Sequence, residues 1–151
     1  MIKIALGSDH GGIELKAVIK DWLIDHQYEV LDFGTNNADS CDYPDIGVNA
    51  ANAVASGLAQ LGILICGTGI GMSISANKVP GIRAALCHDC YSAQMSRAHN
   101  NANVLALGQR VTGQGLALHI VETWLAASFE GGRHQRRLDK IAALEDSSKE
   151  M

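Results

Sequence analysis

The chain has 151 residues, 47% of them hydrophobic and 19% charged, with a formal net charge of −4. That length suits one domain with a real core, and the negative balance gives no global field to attract a polyanion. Only 5% of residues are aromatic, which argues against a module that stacks exposed bases, so nucleic acid is not expected as a partner.

The chain opens on a short apolar run, IKIAL (Ile2–Leu6). Ile13, Leu15, Val18, Ile19, Trp22 and Leu23 then recur with helical period. A second run, YEVLDF (Tyr28–Phe33), precedes a helical stretch from Asp45 to Leu58 with Pro44 near its start. GILIC (Gly62–Cys66), a helix over Ile70–Asn77, IRAALC (Ile82–Cys87) and a helix over Asp89–Ala98 follow. VLAL (Val104–Leu107) and helices over Gly115–Ser128 and Gln135–Ala143 complete the pattern. The five runs are short and mostly apolar on both faces, as buried parallel strands require. Strands alternating with helices predict a Rossmann-like three-layer α/β/α sandwich around a five-stranded parallel sheet. No linker or repeat divides the chain, so residues 1–151 are expected to form one domain, with the polar tail fraying from about residue 146.

The N-terminus MIKIALGSDHGG lacks a signal peptide's apolar core, and no apolar run is long enough for a membrane span. Cys41, Cys66, Cys87 and Cys90 are therefore expected to be reduced, in a cytoplasmic protein.

Open parallel sheets gather ligands at the carboxyl ends of their strands. Ser8, Asp9 and His10 follow the first run, Cys66 to Gly71 the third, His88 and Asp89 the fourth, and Gln109 and Arg110 the fifth. Ionisable groups thus fall repeatedly at one rim. The third segment reads CGTGIG, with glycines at 67, 69 and 71 ahead of a helix. Such glycines allow close backbone approach and turn N–H groups towards an anion. Their spacing is not the dinucleotide fingerprint, and no P-loop lysine follows. Cys66 is readable as a small buried hydrophobe. It is equally readable as a reactive group, because neighbouring N–H donors favour a thiolate that can act as nucleophile or base.

CHDC (Cys87–Cys90) lacks the second ligand pair of a structural zinc site and reads as a strand end followed by a helix start. In RAHNNANVLALGQR, His99 and Asn100 stand just before the fifth strand, where a histidine is either a helix-end cap or an acid–base group. In EGGRHQRR, Arg133 and Arg137 share one helical face. Two guanidinium groups so arranged suit a phosphate, or else form a solvated basic face.

IALGSDHGG, DYP, GILICGTGIGMSISANK, GIRAALC, YSAQMSRAHNNANVLALGQR and EGGRHQRR, in that order over nearly the whole chain, resemble the ribose-5-phosphate isomerase B family, also called the ribose/galactose isomerase family. The resemblance implies isomerisation of a small phosphorylated sugar between aldose and ketose, without metal or organic cofactor. It implies Cys66 as the base beside the carbonyl and His99 as the acid that opens the furanose. Asp9 and His10 would contact the sugar near its ring oxygen and phosphate end, Tyr43 would line the pocket, and Asn100 would hold reacting oxygens. Gly67, Gly69 and Gly71 would stabilise the enediolate, and Thr68 would position or relay a proton. Arg110, Arg133 and Arg137 match polar and phosphate-binding positions. The family resemblance also implies a homodimer or homotetramer whose sites draw on two subunits. D-Ribose 5-phosphate is the first expected substrate, with allose 6-phosphate or galactose 6-phosphate as alternatives. Galactose-6-phosphate isomerases divide the reactive positions between unlike subunits, whereas this chain carries both Cys66 and His99. A nucleotide-binding module without chemistry, or a thiol redox protein using Cys87 and Cys90, would not account for His99 and the arginine pair together.

Overall fold

A computed structural model describes residues 1–150. Five strands, β1 (Lys3–Ser8), β2 (Glu29–Asp32), β3 (Leu61–Cys66), β4 (Ala84–Leu86) and β5 (Val104–Gly108), form one sheet in the order β2-β1-β3-β5-β4. Every pairing is parallel. Six α-helices flank it: α1 (Ile13–Asp25), α2 (Tyr43–Ala55), α3 (Ile70–Ala76), α4 (Cys90–Ala98), α5 (Gln114–Ala126) and α6 (Arg133–Lys149). A 3-10 turn, His10–Gly12, joins β1 to α1.

Central strands β3 and β5 are buried throughout, and β1 nearly so, while the edge strands β2 and β4 are only partly covered. Alternation along the central strands divides the core in two. Ile4, Leu6, Ile63, Ile65, Leu105 and Leu107 face large partners on α1 and α5, including Leu15, Ile19, Leu23 and Trp124. Ala5, Leu64, Cys66, Val104 and Ala106 face the other way, against Ala50, Ala51 and Val54 of α2 and Met72 of α3. The small side chains on this second face let α2 and α3 approach closely. The two-residue period therefore sends the Cys66 side chain to the α2/α3 side.

Local signals set the helix ends. Pro44 sits in the first turn of α2, where its missing N–H costs no helix bond. Asp89 caps α4 instead of lying within it, its carboxylate accepting the Ser92 N–H at 2.6 Å and the Ser92 hydroxyl at 2.9 Å. The helix α6 continues to Lys149, past the point near 146 where composition predicts fraying. Ser147 and Ser148 satisfy their hydroxyls there on the Leu144 and Glu145 carbonyls. Only His134 and Leu138 of α6 are buried, so this helix lies on the fold and adds little to its core. Among the described residues, no helix is long and apolar enough to cross a membrane.

Candidate active site

The strand order places a topological switch between β1 and β3: the chain leaves β1 towards β2 on one side and β3 towards the other strands on the opposite side. In open parallel sheets a crevice opens at that point, beyond the carboxyl ends. Here β1 delivers Asp9 and β3 delivers Cys66. A cleft of about 410 Å³ lies there, lined by Asp9, Tyr43, Cys66, Gly67, Thr68, Ile70, Gly71, Ile74 and Arg110.

Cys66 is 5% exposed, and its Sγ accepts the Gly69 N–H at 3.1 Å. That bond fixes the sulfur over the mouth of the turn. The turn that provides it needs a glycine at 69, where φ is +78° and a Cβ would lie 2.8 Å from the Leu107 carbonyl carbon. The Thr68 hydroxyl accepts the Ile70 N–H at 3.2 Å, while the Arg110 N–H donates to the Gly67 carbonyl at 3.0 Å. The Arg110 guanidinium therefore crosses over Gly67, with Nη1 3.1 Å from where a Cβ on that residue would stand.

Asp9 is 7% exposed, and its carboxylate accepts the Gly11 N–H at 2.8 Å. His10 does not line the cleft; its Nδ1 accepts the Cys41 N–H at 3.2 Å, tying down the loop that leads to α2. The same loop is held at its start by Asp32, which pairs with Lys16 at 2.8 Å and Lys20 at 3.0 Å and accepts the Gly34 N–H at 2.8 Å. Burial pushes the Asp32 carboxyl up, but the bonds from Lys16, Gly34 and Lys20 together hold it below its ordinary value. At the loop's far end the Tyr43 ring lies against Gly71, where a Cβ would come within 2.6 Å of it.

The remaining predicted residues gather elsewhere. His99 forms the C-cap of α4, and its ring stacks on that of His134 with centroids 4.2 Å apart and planes 10° apart. Glu130 Oε2 lies 3.7 Å from His99 Nε2 and 3.4 Å from His134 Nε2. Burial, and then the charges of His99 and Arg133, push His134 below the usual histidine range, partly offset by Glu130. Asn100 lines a separate hollow of about 460 Å³ under α6, with Arg83, Leu138 and Ile141 among its walls. Arg133 and Arg137, one turn apart at the start of α6, are exposed.

One chain thus brings Asp9, Tyr43, Cys66, Thr68 and Arg110 to one cleft, and leaves His99, Asn100, Arg133 and Arg137 outside its lining. Glu130 and His134 do not stand out in the sequence beside the glycine turn and arginines of EGGRHQRR. Their spacing of four within that stretch is their one mark in the sequence. His99, Glu130 and His134 hold three potential metal-ligand atoms within 4.8 Å of one another.

Cys87 is buried, Cys90 begins α4, and both are free thiols. Burial, together with the Asp89 charge, pushes the Cys87 thiol up to about 11, against a hydrogen bond with Ser96 that acts the other way.

The chain is similar to known proteins over almost its whole length. The chain is 53% identical over 145 residues to ribose-5-phosphate isomerase B of Escherichia coli strain K12, covering 96% of this chain and 97% of that protein. It is 48% identical over 150 residues to D-erythrulose-4-phosphate isomerase of Pectobacterium atrosepticum strain SCRI 1043, covering 99% of each. The solved structure of Clostridium thermocellum ribose-5-phosphate isomerase B superposes with a TM-score of 0.97 at 58% identity, over 97% of this chain and 99% of that one. The family described as Ribose/Galactose Isomerase matches residues 4–141, so the chain belongs to that family and is a sugar phosphate aldose–ketose isomerase.

Proposed function

We propose that the protein interconverts D-ribose 5-phosphate and D-ribulose 5-phosphate. The observation that carries this reading is the buried Cys66 thiol, hydrogen-bonded to the Gly69 N–H in a cleft that also presents Asp9, Thr68, Tyr43 and Arg110. Isomerisation needs a base beside the carbonyl carbon and donors facing the carbonyl oxygen, where negative charge develops. A thiolate at the first position of a glycine turn meets both needs.

The reaction begins with the furanose. His99 gives a proton to the ring oxygen as the C1–O4 bond breaks, and O1 releases its proton to solvent as the aldehyde forms. Cys66 then takes the C2 proton, the electrons move to the carbonyl oxygen, and N–H groups of the turn Gly67–Gly71 stabilise the enediolate, with Asn100 and Thr68 holding its oxygens. The O2 hydroxyl proton passes to O1 by way of the Thr68 hydroxyl, and return of the carbon-bound proton from Cys66 to C1 as the C2 carbonyl forms yields the ketose. Asp9 and Tyr43 hold the sugar, His10 steadies the loop that carries Tyr43, and Arg110, Arg133 and Arg137 take the phosphate through charge-assisted bonds.

Two halves of this scheme come from different places in one chain, which supports a site completed between two copies in a dimer or tetramer. Ile70, Ile74 and Tyr43, beside the cleft, are 51%, 58% and 40% exposed. An apolar rim of that kind suits coverage by a second subunit. The D-erythrulose-4-phosphate isomerase relative favours a four-carbon sugar phosphate as the second reading; allose 6-phosphate is the six-carbon alternative.

Separate assays of ribose 5-phosphate, erythrulose 4-phosphate and allose 6-phosphate, with chelator and NMR identification of products, test the reading. The expected result is the highest kcat/KM on ribose 5-phosphate. A higher value on either other sugar would reassign the substrate while keeping the chemistry, and conversion of none by folded, reduced protein would end the proposal.

A further inference from the structure

His99 occupies a helix C-cap, where nothing in the backbone fixes its side chain, and that side chain is 37% exposed. An acid that must meet a sugar ring oxygen needs a defined ring plane and a defined rotation within it. The segment that follows α5 supplies both constraints. The Glu130 N–H donates to the Ala98 carbonyl at 3.0 Å, fastening this segment to the last turn of α4. Gly131 and Gly132, at φ +69° and +56°, then reverse the chain so that α6 begins beside His99.

The consequence is a sandwich of specific chemistry. His134, only 7% exposed, lays its ring parallel to that of His99. Glu130 sets one carboxylate oxygen near the Nε2 of both rings. Two imidazolium ions 4.2 Å apart would repel. His134 is buried and faces the positive charges of Arg133 and Arg137, so it is suited to stay neutral as a flat support. The negative charge of Glu130 is then left to serve His99.

We propose that Glu130 and His134 are positioning residues for His99: the His134 ring fixes the plane of the imidazole, and Glu130 orients its Nε2 edge, leaving the other ring nitrogen to face the cyclic sugar. This rests on the reading of His99 as the ring-opening acid. It predicts that the two residues matter for ring opening and not for proton transfer at Cys66.

The two steps can be read separately. D-Ribulose 5-phosphate cannot close to a furanose, because its O5 carries the phosphate. Deuterium entry at its C1 in D2O therefore requires only abstraction and return of a proton. Net conversion of ribose 5-phosphate requires ring opening as well. Glu130→Gln, at an exposed position, is expected to lower kcat/KM for ribose 5-phosphate by about tenfold while C1 exchange stays within about twofold. His134→Ala should act in the same direction, and His134→Phe, which keeps a flat ring, should recover much of the loss. Equal loss of conversion and exchange in Glu130→Gln, or no loss of conversion, would overturn the proposal. His99→Asn run in parallel separates the two failures. If it raises the exchange-to-conversion ratio while Glu130→Gln does not, only the positioning roles fall. If it leaves the ratio unchanged, the ring-opening role of His99 falls and the positioning roles with it.

Discussion

The thiol side and the imidazole side of this molecule are held by different means. Cys66 ends a strand that is buried along its whole length and paired on both edges, by β1 and β5. Its position is set by backbone ladders and by a glycine turn, and α2 and α3 close over that face of the sheet through Ala50, Ala51, Val54 and Met72. His99 stands at the end of a helix against a segment tied by one backbone bond, with its ring held by a neighbour's ring and a carboxylate. Proton abstraction next to a carbonyl tolerates little misplacement of the base. On the proposed reading a rigid sheet suits that demand, and helix ends and a surface helix suit the part that would receive and release the sugar phosphate.

The largest expected effect comes from breaking the thiol side. Cys66→Ala should lower turnover by about 100- to 10,000-fold, the usual range for a positioned acid–base group, with the melting temperature changed far less because only one sulfur atom leaves the core. Turnover near that of the unaltered protein would remove Cys66 from the mechanism. Mixing inactive Cys66→Ala with inactive His99→Ala protein sharpens the contrast. If each site draws its two sides from two copies, random exchange within two-fold dimers should restore about a quarter of full activity. No recovery after verified subunit exchange would return both sides to one chain.

Arg137→Ala tests the imidazole side by its binding role. Loss of a charged phosphate contact should raise KM roughly 10- to 100-fold with a smaller change in kcat, and an unchanged KM would take Arg137 out of the phosphate site. The smallest expected effect concerns acid. His134 is held below the ordinary histidine value, so the unfolded chain binds the extra proton first and stability falls as pH drops through the ordinary value near 6.5. Asp32 is held below its ordinary 3.8, so its contribution is present above that value and is lost only as pH falls through the lower folded one. Melting temperatures of His134→Phe should therefore decline less between pH 7.5 and 5 than those of the unaltered protein. Asp32→Asn should be destabilised evenly across that window, with the gap closing below about pH 3.8. Parallel curves for the unaltered protein and His134→Phe would contradict the first expectation.

Much of the thiol side is legible from sequence because its signals are local. Apolar runs bounded by glycine identify β1, β3 and β5, the rule of carboxyl ends points to Asp9 and Cys66, and CGTGIG announces the turn between strand and helix. The imidazole side is legible only in part. His99, Arg133 and Arg137 stand out as residue types, but nothing in one dimension says that the ring of His134 lies on that of His99. Equally, the role of His10 in holding the Cys41 N–H depends on how the loop after β2 returns to the first turn of the chain.

The sequence by itself therefore determined the element order, the parallel sheet and the chemical character of the rim, since periodicity, glycines and strand ends act over a few residues. Tertiary structure alone decided that Cys66 faces the α2/α3 layer and accepts a backbone N–H. It also decided that the predicted residues divide between a cleft and a separate histidine stack. Those outcomes follow from strand order and from which helix faces which side of the sheet, and they arise only when segments as distant as Ala98 and Glu130 are brought into hydrogen-bonding contact.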